Sequence, residues 1–186
     1  MDSGTLQRYI DDFSVSGLTS NPTIFDHAIK NSTSYDDAIR QKLQEGKSGE
    51  ELFFDLALDD LSRAATMFRQ IHERTDGVDG WASLEVSPLI AHNTASTIAM
   101  VRRLYTRSGL TNLFIKIPGT KEGLPAIEES IFAGVPINIT LLFSREQYLD
   151  AAAAVLRGFE PGSSGCRGFE PQARCAAGTP DGHSRS

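Results

Sequence analysis

Cysteine is nearly absent from this chain: 186 residues carry two thiols, Cys166 and Cys175, both near the end. With no further cysteine and only His183 nearby, they make a poor zinc site and a weak disulfide case. Two incidental thiols fit a cytoplasmic protein, which is the expected location. No run of 18 apolar residues occurs, so no membrane-spanning helix is expected. Met1, Asp2, Ser3 and Gly4 supply neither a basic nor an apolar leader region, so no secretory signal is expected. Positive charge is scarce as well. The net charge of −6 argues against a nucleic-acid surface, which needs clustered Lys and Arg. His27, His72, His92 and His183 are scattered without an HExxH pair, so no metal is expected. Gly17 and Gly119 stand in no phosphate-cradling glycine pattern, so no nucleotide cofactor is implied. Ser87-Pro88 and Ser130 lack the elbow that exposes a nucleophilic serine.

What is present falls into two regimes that meet near Gly158. Residues 1–157 alternate short apolar runs with helical periodicity and are long enough for one core. Residues 158–186 contain no Val, Ile, Leu or Met, and Gly, Pro and Ser recur. Such a segment buries too little apolar surface to offset its ordering entropy, so a disordered tail is expected. It also repeats RGFEP, at Arg157–Pro161 and Arg167–Pro171, a unit too short for a solenoid. A frameshift would produce such a tail.

Within the first regime, caps announce the helices. Ser48 with Glu51 reads as a capping box opening a helix through Phe53, Leu56, Ala57, Leu61, Ala64, Phe68 and Ile71. Asn93 caps a helix with Ile98, Val101, Leu104 and Tyr105 on one stripe, closed by Gly109. Thr120, Pro125 and Gly134 bracket a short helix through Ile127 and Ile131. Ser144 with Gln147 opens another, through Tyr148, Ala151, Ala152 and Val155, with Gly158 as its stop. A shorter helix spans about Tyr35 to Leu43, with Ser34 as its cap. Four runs between them read as strands: Val15 to Thr19, Ala82 to Val86, Leu113 to Ile117, and Ile137 to Leu141. Strands separated by helices imply an α/β fold with a parallel sheet.

Parallel strands covered on both faces should be nearly continuous in apolar residues. These four are interrupted. Lys116 stands in Leu113-Phe114-Ile115-Lys116-Ile117, where burial disfavours the ammonium. A lysine that spends time as the free amine can attack a carbonyl and form an imine. The competing account is a strand-end lysine reaching water along its apolar stem. Glu85 interrupts Leu84-Glu85-Val86, either to handle protons or as a structural ion-pair partner. Asn138 and Thr140 share one strand face, opposite Ile137, Ile139 and Leu141. An amide and a hydroxyl side by side hold a substrate oxygen, or else bond to a neighbouring strand. Thr19-Ser20-Asn21-Pro22 ends the first strand. Pro22 forces Asn21 into an extended conformation, and Asn21 also suits a helix cap. Four successive strands thus carry polar residues at or near their C-terminal halves, where a (β/α) barrel builds its active site.

These same stretches resemble the transaldolase family: SGLTSNPTIF (Ser16 to Phe25), SLEVSP (Ser83 to Pro88), FIKIPGTKEGLPAI (Phe114 to Ile127) and INITLLFSREQY (Ile137 to Tyr148). The type similar to it is also found fused to phosphoglucose isomerase, and the resemblance runs from about Gly4 to Glu160. It implies part of a (β/α)8 TIM barrel, in the pentose phosphate pathway, acting on sugar phosphates without a cofactor. A dihydroxyacetone unit would pass from fructose 6-phosphate to erythrose 4-phosphate, giving sedoheptulose 7-phosphate and glyceraldehyde 3-phosphate. Lys116 matches the family's Schiff-base lysine, and Glu85 its glutamate, which handles protons through a water. Asn21, Asn138 and Thr140 match residues that hold substrate hydroxyls and position that water, and Ser20 is counted with the substrate-binding group.

The resemblance also implies departures. The family's first-strand aspartate precedes the segment matching Gly4, and Asp11 and Asp12 are not it. Its sixth-strand serine and arginine for the substrate phosphate are not matched. About four strands of eight, the second to the fifth, are expected, as in a chain truncated at both ends. Four parallel strands leave two open edges, so self-association through them is expected. An aldolase that cleaves fructose 6-phosphate without transfer, and an inactive fragment, remain as alternatives.

Overall fold

A computed structural model describes residues 4–160. Of the tail expected over 158–186, residues 161–186, with Cys166, Cys175 and His183, lie outside the described residues. Seven helices alternate with four strands: α1 (Thr5–Phe13), β1 (Gly17–Thr19), α2 (Pro22–Lys30), α3 (Asp36–Gln44), α4 (Gly49–Arg74), β2 (Trp81–Glu85), α5 (Thr94–Ser108), β3 (Leu113–Pro118), α6 (Gly123–Phe132), β4 (Ile137–Thr140) and α7 (Arg145–Phe159). All strand pairs are parallel, in the order β1-β2-β3-β4. Each strand lies beside the next, with helical crossovers between, as in an arc of a (β/α) barrel.

The register sorts the side chains into two faces. One face carries Leu18, Ala82 and Leu84, then Leu113, Ile115 and Ile117, then Ile137 and Ile139. It packs on Phe54, Leu58, Leu61 and Ala65 of α4, Val101 and Leu104 of α5, and Ile127 of α6. This layer is the hydrophobic core. Buried Asn112 pins one end of it, donating to the carbonyls of Ala65 and Gly80, each at 2.8 Å. The opposite face carries Thr19, Trp81, Ser83, Glu85, Phe114, Lys116, Asn138 and Thr140. Trp81 and Phe114 stack there with ring centroids 4.0 Å apart, and His72 meets the indole edge-on.

Several local expectations are corrected. Ser48 occupies the cap position of α4, but its side chain makes no capping bond. Gly49 follows it at φ 53, a left-handed turn that carries the hydroxyl away from the helix amides. Ser144 does close its box, accepting from the Gln147 amide while the Gln147 side chain accepts from Ser144. Ser34 caps nothing; Ser32 caps a short 3-10 turn at Thr33–Tyr35, and α3 follows directly. Leu141 falls outside β4, with φ 61.

Gly158 does not end α7, so the ordered helix passes the expected boundary at 157 and closes at Phe159. A Cβ at 158 would meet the Glu128 carbonyl and Ile131 Cβ at 2.8 Å. The glycine is there for close approach of α7 to α6, not for a left-handed stop. An Arg157–Glu128 ion pair at 2.7 Å joins the same two helices, and Arg102–Glu129 at 2.5 Å joins α5 to α6. Among the described residues, no helix is long and apolar enough to cross a membrane.

Candidate active site

The site follows from strand register. Glu85 pairs with Lys116, Lys116 with Asn138, and Pro118 with Thr140. In a parallel sheet, register partners point the same way, so a carboxylate, an amine and an amide line up across three strands. The Lys116 residue is 8% exposed, although it sits on the polar face. Its Nζ donates to Glu85 Oε2 at 3.2 Å and to the Ser20 carbonyl at 3.1 Å. The alternative of a lysine reaching freely into water is not realised. The structural account of Glu85, as an ion-pair partner, is realised, and it places a proton acceptor beside the amine.

Ser20 follows β1 directly. Its N–H and its hydroxyl both donate to the Ser83 carbonyl, at 3.0 and 2.9 Å. Ser83 is buried and lies two residues before Glu85 on the same face; its Oγ also accepts weakly from the Asn138 amide, at 3.5 Å. Sequence reasoning missed Ser83 because a serine in a strand shows little contrast with its neighbours. The period-two relation to Glu85 was the signal that could have found it.

Asn21 takes the cap position of α2, extended at φ −136 and ψ 135 as the following Pro22 requires. Its Oδ1 accepts from the Thr23 and Ile24 amides, so the cap reading of this residue is realised. Thr140 differs from the rest. Its Oγ1 is buried without a hydrogen-bond partner among the described residues. Leu141 follows in a left-handed conformation that a leucine adopts only at a cost. A buried hydroxyl without a partner is free to accept or donate a further hydrogen bond. The face carrying these groups bears no aspartate and no arginine among its described strand residues.

The loops at this end are tied together. Thr120 donates to the Ala91 carbonyl at 2.7 Å, and Thr94 to the Glu122 carbonyl at 2.6 Å. Glu122 also meets His92 at 3.3 Å; its own backbone N–H and then His92 draw its carboxyl below the usual range. The turn that follows the lysine strand is thereby anchored to the turn that follows the glutamate strand. Among the described residues, no three His, Cys, Asp or Glu side chains gather as they would around a metal ion.

A carbonyl compound entering this face would meet an amine, a carboxylate, an amide and a hydroxyl. That set suits imine chemistry. The sequence model of the family described as Transaldolase/Fructose-6-phosphate aldolase matches residues 1–177, extending past Glu160, where the motif resemblance stops. A transaldolase of Trichodesmium erythraeum is 43% identical over 160 residues, covering 86% of this chain and 42% of the relative. A transaldolase 2 of Nostoc punctiforme is 41% identical with the same coverage. A transaldolase of Saccharopolyspora erythraea is 43% identical over 86% of this chain and 43% of its own length. The chain thus spans less than half the length of these curated relatives.

Proposed function

The chain belongs to the transaldolase and fructose-6-phosphate aldolase family, and from that premise we propose that it carries the Schiff-base half of a dihydroxyacetone transfer between sugar phosphates. The observation that supports this most directly is Lys116, a buried amine in contact with a carboxylate on the polar face of a parallel sheet. The Lys116 amine adds to the ketone carbon of fructose 6-phosphate, and loss of water leaves an iminium. The C4 hydroxyl gives up its proton, the C3–C4 bond breaks, and its electron pair flows into the iminium. Glyceraldehyde 3-phosphate departs, leaving an enamine on Lys116. That enamine attacks erythrose 4-phosphate, and hydrolysis of the new imine releases sedoheptulose 7-phosphate. Glu85 accepts and returns protons, through a water where direct contact is too long. Asn138, Thr140 and Asn21 hold substrate hydroxyls, Thr140 with the hydroxyl that has no partner among the described residues.

Borohydride trapping with fructose 6-phosphate tests the reading. One covalent adduct that disappears in Lys116→Ala is expected; its absence in the parent chain at any substrate concentration would favour an inert fragment. Since the matched family also includes fructose-6-phosphate aldolase, the acceptor decides between two uses of one lysine. Sedoheptulose 7-phosphate formed with erythrose 4-phosphate identifies transfer, whereas free dihydroxyacetone identifies cleavage.

Two further elements belong to the same reading. The substrates are anions that do not cross bilayers unaided, which supports a cytoplasmic setting; cell fractionation checks it. Copies of the chain associate through the sheet edges, because β1 and β4 each have one strand neighbour among the described residues. Leu141, Phe143, Leu156 and Phe159 stand exposed at or after β4, and Tyr9 and Phe13 before β1. Light scattering on the eluting protein is expected to give a multiple of the chain mass. A cooperatively melting monomer would contradict it.

A further inference from the structure

We infer that Ser20 is the positioning residue for the Schiff-base lysine, acting through its main-chain carbonyl. The assignment rests on the imine reading of Lys116. Among the described residues, two contacts reach Nζ: the Glu85 carboxylate at 3.2 Å and the Ser20 carbonyl at 3.1 Å. An uncharged amine has two N–H donors and one lone pair. With both donors occupied, the lone pair takes the remaining tetrahedral direction, and nucleophilic attack becomes a matter of where the two acceptors stand.

The two acceptors differ in kind. Glu85 exchanges protons, so its contact with nitrogen changes as the reaction proceeds. A main-chain carbonyl neither gains nor loses a proton, and it remains an acceptor for the single N–H of the iminium. Ser20 is the fixed point of the pair. Its carbonyl is held by its own residue, since its N–H and hydroxyl both close onto the Ser83 carbonyl. Pro22 restricts Asn21, and Asn21 caps α2, so the chain is also constrained just beyond. The hydroxyl of Ser20 is a guy-line for the carbonyl rather than a direct contact for substrate.

Ser20→Ala removes the hydroxyl bond and leaves the amide bond, whereas Ser20→Thr keeps a hydroxyl. Lys116 reactivity is read in two ways: borohydride trapping with fructose 6-phosphate, and labelling by trinitrobenzenesulfonate at fixed pH, located by peptide mass. Loss of one hydrogen bond in the alanine variant is expected to lower the melting temperature by about 2–4 °C and to slow both by about tenfold, with threonine restoring them to within about twofold. Alanine labelled and trapped at the parent rate would overturn the assignment, as would threonine slowed as much as alanine. If alanine fails to fold, the threonine variant still decides: parent-like rates support the assignment and slowed rates in a folded protein refute it. A parent chain that labels at Lys116 but never traps a sugar would sink the proposed function. The labelling comparison would still judge Ser20.

Discussion

Lys116 and Glu85 are register partners on adjacent parallel strands, so the contact between Nζ and Oε2 is set by the pairing of β3 with β2. Glu85→Gln preserves volume and an acceptor for the lysine but removes the charge and the proton uptake. Imine trapping should survive. Release of the aldehyde product should slow by about 10²–10⁴-fold, the usual worth of general acid–base help. A coupled assay of glyceraldehyde 3-phosphate measures it, and a change below threefold would remove Glu85 from the chemistry.

Thr140→Val separates stability from activity. The replacement keeps the shape and deletes a buried hydroxyl without a partner among the described residues. The protein should gain about 1 kcal/mol, seen as a melting temperature about 2–4 °C higher, while trapping slows. A lower melting temperature would mean that the hydroxyl has a structural role.

Outside the site, Asp55 is 1% exposed between two cations: Lys47 at 2.7 Å and Arg107 in a two-pronged contact. Burial pushes its carboxyl up, but Lys47 and then Arg107 outweigh that and hold it below the usual carboxylate range. A depressed folded value means stabilisation that is complete above the unfolded pKa of about 3.9 and is lost as pH falls through the folded value. Asp55→Asn should therefore cost about 2 kcal/mol near neutrality, less than a fully buried pair because both cations reach water. Thermal melts from pH 7 to pH 2 should show a constant gap between parent and variant down to about pH 5. The gap should close on further acidification. One that stayed constant throughout would show that the carboxylate charge is not what stabilises.

Gly158→Ala tests the packing of α7 on α6. Helix propensity favours alanine by about 1 kcal/mol. The added methyl would nevertheless sit 2.8 Å from Glu128 O and Ile131 Cβ, and overpacking of that kind costs about 1–3 kcal/mol. Net destabilisation is expected by denaturant titration. A more stable variant would show that the helices can separate at little cost.

Chemistry was easier to read from the sequence than geometry. Lys116 and Glu85 were visible because a charge inside an apolar run has no inexpensive alternative, and Asn138 with Thr140 because strand periodicity forces them together. Ser83 was hidden by ordinariness. The carbonyl of Ser20 was hidden more deeply, since a main-chain acceptor leaves no trace in residue type. Helix α1 went unread although Leu6, Tyr9, Ile10 and Phe13 recur at helical spacing; it opens after Gly4, without a side-chain cap to announce it. Gly158 was misread because one residue type serves both a left-handed stop and a close helix crossing, and only the neighbouring helix distinguishes them. Ser48 and Ser144 present the same capping spacing, and the left-handed Gly49 explains why just one of the two closes the box.

The sole tryptophan of the chain is Trp81, wedged between the Phe114 ring and the His72 imidazole at the start of the glutamate-bearing strand. Its fluorescence is consequently a local gauge of the seam that joins the carboxylate to the amine. A shift of its emission toward longer wavelength would signal that seam opening to water, before any sugar is added and without a label.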